Sequence, residues 1–260
     1  MKPAKSFLLY CFALLTGLTS LNAQAFYLFG SNWKEEVLLH DGSKIIVNRS
    51  QSHGGFHEFG QKPPVSEQAI SFDLPGTHQT VEWEDKATPD VGSANFSLLQ
   101  LDVLNGVPYL AVTIRGCLPY NKWGRPNPDY VFFKYVGGVW KQIPIEEYPA
   151  EFGTDANMMS ETVSREQWLS DETSKSGYVS SALIKQMNAE IRTPQNRTIT
   201  RTPIPGGGMG GCPNAIPDGH DGWIGLGFFN KSYEQCKGTC FAHDMNEQYC
   251  PCKKLYPDQQ

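Results

Sequence analysis

Pairs of short apolar segments joined by turn dipeptides constrain this chain more than anything else in it. Val37-Leu38-Leu39-His40 and Lys44-Ile45-Ile46-Val47 flank Asp41-Gly42. Phe96 to Leu104 and Val107 to Ile114 flank Asn105-Gly106, and Tyr130 to Tyr135 and Val139 to Ile143 flank Gly137-Gly138. These dipeptides tolerate the positive φ that two-residue hairpin loops demand, so each pair reads as a β-hairpin. Ala69 to Leu74 and Gln79 to Trp83 form a fourth, weaker pair around Pro75-Gly76. About eight strands therefore occupy roughly residues 33 to 145. Hairpins in series lack the long crossovers that parallel strands need. The expected fold is mainly β, an antiparallel meander over residues 26–150 that folds into a sandwich or a partly open barrel.

The N-terminus predicts an address. Lys2 and Lys5 precede an apolar run from Phe7 to Leu21, followed by Asn22-Ala23-Gln24-Ala25. A basic start, an apolar stretch of about 15 residues and a small-x-small end make residues 1–25 a secretory signal peptide. Thr16, Gly17, Thr19 and Ser20 interrupt the run, and a spanning helix wants about 20 apolar residues. The expected location is periplasmic or secreted, with no transmembrane segment after cleavage.

Cleavage also resolves an oddity of composition. The chain has 7 cysteines and a formal charge of −5, and Cys11, Lys2 and Lys5 leave with the signal. The mature chain would carry 27 acidic against 20 basic residues, a charge of −7, and six cysteines: Cys117, Cys212, Cys236, Cys240, Cys250 and Cys252. An even count in an oxidising compartment reads as disulfides, with the pairing open. An acidic chain without a basic block disfavours nucleic acid as a partner. With 40% apolar and 19% charged residues the chain can bury a core.

Beyond the hairpins the pattern changes. Residues 151–202 read as a helical segment. Ser164-Arg165-Glu166-Gln167 has a capping-box pattern, and Val179, Leu183, Met187 and Ile191 recur every fourth position. The spacing predicts one helix over Tyr178–Ile191, packed on the sheet and stopped by Pro194. Residues 203–222 are Gly/Pro-rich and read as a linker or irregular loop. Residues 223–260 form a cysteine-rich tail, too small to hold together on apolar burial alone. Cys117 is expected to tie the sheet to this tail.

Three strings carry a resemblance: Trp33-Lys34-Glu35-Glu36-Val37-Leu38-Leu39-His40-Asp41-Gly42, Asn121-Lys122-Trp123-Gly124-Arg125-Pro126-Asn127-Pro128 and Tyr130-Val131-Phe132-Phe133-Lys134-Tyr135. Together they resemble one family of exported proteobacterial proteins, over roughly residues 30–150. The resemblance implies a bacterial envelope address and no particular chemistry.

A second, local resemblance lies in the tail. Cys240-Phe241-Ala242-His243-Asp244 is similar to the C-x-x-H-D helix segment of secreted phospholipases A2, and Trp223-Ile224-Gly225-Leu226-Gly227 is similar to their calcium loop. It implies that His243 activates water while Asp244, Gly225 and Gly227 hold Ca²⁺. Ile224 and Thr239 stand where that family has cysteines. The competing expectation is a solvated turn in a disulfide knot. Cys236, Cys240 and His243 fall at i, i+4 and i+7 and could face one metal, but oxidation in an exported chain favours disulfides over thiolate ligands.

The loop around Trp123 is the other candidate. Lys122, Trp123 and Arg125 sit in a proline-stiffened connection between strands, a composition found at recognition surfaces. Alternatively Trp123 covers one end of the sandwich. His40 lies beside a hairpin tip, with no acid partner at a catalytic spacing. No G-x-S-x-G, P-loop or H-E-x-x-H is present. The expected function is therefore a non-enzymatic binding or structural module of the envelope. It would need no cofactor and would take an envelope protein or ligand as partner. The Ca²⁺-dependent phospholipase-like hydrolase is the alternative.

Overall fold

A computed structural model describes residues 30–55, 57–61, 63–160 and 177–259. The expected signal peptide and the capping-box pattern at 164–167 lie outside the described residues. The chain is mainly β, as its hairpin series predicts. All four expected hairpins form: β1 (Gly30–Leu38) with β2 (Lys44–His53), β3 (Val65–Asp73) with β4 (Thr80–Lys86), β5 (Phe96–Leu104) with β6 (Val107–Ile114), and β7 (Tyr130–Val136) with β8 (Val139–Ile143). Turn chemistry sets their registers. Asn105 and Gly106 take φ of 53° and 73°, the left-handed pair that a type I′ loop requires. At the first turn the Asp41 carboxylate accepts hydrogen bonds from the Ser43 amide and hydroxyl.

The strands form two open sheets rather than a closed barrel. The first has the order β4-β3-β2-β1-β9, with the short β9 (Tyr178–Val179) parallel to β1, and the second has the order β5-β6-β7-β8. Their inner faces share one core. Val37, Val47, Ile70, Phe72, Val81 and Trp83 come from the first sheet, and Phe96, Leu98, Leu101, Leu110, Val112 and Phe133 from the second. Near Trp33 the inner face turns polar. There buried Glu35 accepts hydrogen bonds from Arg49, from the Trp33 indole and from the Met159 amide.

The two outer faces differ. On the second sheet Leu99, Tyr109, Ala111, Tyr130 and Phe132 are buried beneath Tyr148, Phe152, Ala156 and Ile199. The covering segments are pinned through their backbone. Gln100 donates to the carbonyls of Phe152 and Asp155, and Arg201 donates to those of Tyr148 and Pro149. Burial on both faces explains why β5 and β6 are nearly continuous apolar runs, while β2 and β4 alternate buried and exposed. No such cover lies over the described outer face of β2 to β4, where Asn48 and Glu82 are exposed.

Four helices complete the described chain. The short α1 (Cys117–Lys122) joins β6 to β7 after Gly116, whose φ of 84° turns the strand into it. α2 (Ser181–Ala189) starts three residues later than the apolar spacing predicts. Ser180 accepts from the Leu183 amide as N-cap, and Glu36 accepts from the Ser181 amide and hydroxyl. These bonds favour a helix start there, and Val179 joins the sheet instead. Ile184 and Met187 pack on Trp33 and Met159, so the helix does dock against the first sheet.

The Gly/Pro-rich segment 203–222 is irregular but docked. Cys117 is bonded to Cys212 of this segment and not to the tail, whose four cysteines pair with one another. Asn127 and Ile204 exchange two hydrogen bonds, and β10 (Ala215–Pro217) pairs with β11 (Trp223–Gly225). The tail adds α3 (Tyr233–Ala242) and α4 (Cys252–Leu255), closed by Cys236–Cys252 and Cys240–Cys250 around Ile224 and Phe229. Among the described residues no helix is long and apolar enough to cross a membrane.

Candidate functional site

Along the edge of the first sheet the sequence alternates, and the alternation builds a groove. In β4, Val81, Trp83 and Asp85 face the core while Thr80, Glu82, Glu84 and Lys86 face solvent. Beside this strand the β7–β8 hairpin of the second sheet reaches across. The Trp140 indole N–H donates to the Glu82 carbonyl at 2.7 Å, and Gln79 donates to the Tyr135 hydroxyl. The Tyr135 and Trp140 rings lie 5.3 Å apart, tilted by 59° and half exposed. A groove of about 1320 Å³ opens against these rings, across the outer face of β1 to β4, and round the β4 edge to Lys122 and Trp123.

Cross-strand register arranges the groove floor in rows. Lys34 pairs with Asn48, Asn48 with Ser71, and Ser71 with Glu82, which forms one row. Asn32, Ser50, Ala69 and Glu84 form the next. In each row the two central residues are shorter than the two that flank them, so the floor is a trough. Its charges are largely compensated. Lys86 bridges Glu84 at 2.9 Å and Glu67 at 3.2 Å, and these hydrogen bonds raise its pKa.

The wall behind β4 is aromatic and hydrogen-bonded. Trp83, Phe96, Phe133 and Trp123 form an aromatic cluster, the closest pair being Phe96 and Trp123 at 4.7 Å. The buried Asp85 carboxylate accepts from Gln68, from both nitrogens of Asn95 and from the Phe96 amide. That set ties β4 to the start of β5 across the sheets.

The binding candidates from the sequence divide. Trp123 covers the end of the core, donates to Asn95, and rims the groove. Lys122 also rims it, held by Asp90 at 2.9 Å and by Thr88. Arg125 lies outside the groove lining. It donates to Asn121 and to the carbonyls of Cys212 and Pro213, and stacks over Tyr120, so it fastens the Gly/Pro-rich segment.

All six cysteines of the expected mature chain are placed in disulfides, two of the three bridges lying in the tail. Cys236, Cys240 and Cys252 bring their sulfurs within 4.8 Å of one another, but a disulfide sulfur is not the thiolate a metal needs. His243 caps the end of α3, and Asp244 follows it at φ 50° with a fully exposed carboxylate. The contacts of Asp244 run to His220, whose Nε2 lies 2.9 Å from its carbonyl and 3.9 Å from its carboxylate. Gly225 starts a 3-10 turn that holds Gly227. Among the described residues no hydrogen bond joins His243 to Asp244.

One arrangement escaped the sequence. His40 Nδ1 lies 2.7 Å from Asp102 Oδ1, and the His40 amide donates to Oδ2 of the same carboxylate. Asp102 is 1% exposed and the His40 ring 20%. Burial raises the Asp102 pKa, opposed by the hydrogen bond from His40. The pair joins the β1–β2 turn to β5 across 62 residues, a separation at which no sequence pattern applies.

The fold and groove define a class, a disulfide-bonded antiparallel β-sandwich with one covered outer face and one that no described residue covers. Comparison with known families, curated proteins and solved structures finds no match to this chain.

Proposed function

We propose that this chain is an exported binding module of a bacterial envelope, without a catalytic role, that holds its ligand in the groove over the first sheet. One observation carries the proposal: a preformed groove of about 1320 Å³ bordered by the half-exposed rings of Tyr135 and Trp140. Two features support the address. The three disulfides suit an oxidising compartment, and residues 1–25 have the pattern of a cleavable signal. No contact in the tail favours the phospholipase-like alternative.

Expression of the full chain in a Gram-negative host tests the address. A mature protein beginning at Phe26 and released with the periplasmic fraction is expected, and an uncleaved cytoplasmic chain would overturn it. Incubation with mixed phospholipid micelles and Ca²⁺ tests the non-catalytic part. EDTA-sensitive fatty-acid release that is lost in His243→Ala would overturn it.

A further inference from the structure

We infer that the groove takes a neutral oligosaccharide several units long, seated in the trough between β1 and β4. The inference rests on the binding reading above and names its ligand class.

The groove's size sets the first limit. Small-molecule pockets run to about 300–1,000 Å³, and 1320 Å³ exceeds that range. A chain of units uses such a volume better than one small molecule does.

Charge sets the second limit. Along the trough Lys34 faces Glu82 across the first row, and Glu84 is paired with Lys86. Neither sign dominates, so a polyanion gains little and a neutral ligand pays no electrostatic penalty.

Hydrogen-bonding capacity sets the third. Asn48, Ser50 and Ser71 are short side chains that both donate and accept. They stand on two adjacent strands in a grid with spacings of about 4.8 Å and 6.7 Å. Sugar hydroxyls likewise donate and accept, and a sugar ring has an apolar C–H face that matches an aromatic side chain. Trp140 and Tyr135 provide such faces at the β4 end.

An extended peptide is the competing ligand, and it would add most favourably to the open edge of β4. The Glu82 carbonyl in the middle of that edge is already taken by Trp140. Over the sheet face the backbone groups are paired within the sheet, so peptide amides would have only side chains to bond.

The test uses the full disulfide-bonded chain and calorimetric titration with three hexasaccharides: β-1,4-linked glucose, β-1,4-linked N-acetylglucosamine and α-1,4-linked glucose. Their monosaccharides and a pool of neutral decapeptides serve as comparisons. At least one hexasaccharide should bind at least tenfold more tightly than its monosaccharide. Trp140→Ala should weaken it at least tenfold, and Ser71→Trp, which fills the trough from an exposed face, should abolish it with an unchanged thermal midpoint. A hexasaccharide that binds equally well to Ser71→Trp would overturn the location. Failure of all three sugars would overturn the ligand class. In that case peptide binding that Ser71→Trp abolishes would leave the groove reading standing, and binding by neither ligand would remove its support as well.

Discussion

Each sheet is built on a four-stranded antiparallel meander, to which the first adds the short parallel β9, yet their outer faces have opposite fates. The second sheet buries Tyr109, Tyr130 and Phe132 under residues 148–156 and Ile199. The first presents Asn48, Ser50, Ser71 and Glu82 to a groove. The contrast separates what holds the molecule together from what it offers to a ligand. A covered face contributes apolar burial, at roughly 25 cal/mol per Å², whereas an open polar face adds little stability and is free to serve recognition.

The largest effect tests that contrast directly. Phe152→Ala removes a ring from the cover of the second sheet and should cost about 3–5 kcal/mol in chemical denaturation. Asn48→Ala on the open face should stay within about 0.5 kcal/mol. Comparable losses at both positions would break the comparison. Next is the tie between α1 and the Gly/Pro-rich segment. Replacing Cys117 and Cys212 together by Ala should cost about 2–4 kcal/mol, measured by thermal unfolding against the oxidised parent.

A smaller effect belongs to the link between the sheets. His40→Ala deprives a buried carboxylate of its ring donor and should cost about 1–3 kcal/mol. The amides of His40 and Val103 still bond Asp102 and limit the loss. Smallest is a pH effect at the end of the first sheet. Hydrogen bonds from Lys44, Ser181 and Tyr178 lower the Glu36 pKa to about 2 from an ordinary 4.5. A depressed carboxylate pKa stabilises the fold above the unfolded value, and that contribution fades as pH falls from about 4.5 toward 2. Glu36→Gln should therefore flatten the acid limb of a stability–pH profile between those values.

Much of the sandwich could be read from the chain, because hairpins are local. Asn105-Gly106 and Gly137-Gly138 each name a two-residue turn and so a register, whereas at the first hairpin only Gly42 of Asp41-Gly42 takes positive φ and Leu38 pairs with Lys44 around a longer loop. The consecutive apolar positions of β5 reflect a sheet covered on both faces, which the hairpin pattern alone does not show. The groove was hidden for a physical reason. Its rows align Asn48 with Ser71 through β2–β3 pairing, and the connection 54–64 between those strands is too long for a turn dipeptide to set their register. Trp123 and Lys122 were found because a Trp in a stiff loop is conspicuous, while Trp140 and Tyr135 passed as ordinary strand residues. The start of α2 moved because Glu36, 145 residues away from Ser181, supplies its capping bonds. Long-range partners of this kind leave no local trace.

Amide and indole chemical shifts of the isotope-labelled full chain, followed during titration with the hexasaccharide panel, test the central claim most directly. Perturbations confined to the outer face of the first sheet, at Asn48, Ser50, Ser71 and Glu82, and to the Trp140 indole are expected. Perturbations confined to the covered sheet, or to the tail around His243 and Asp244, would contradict it.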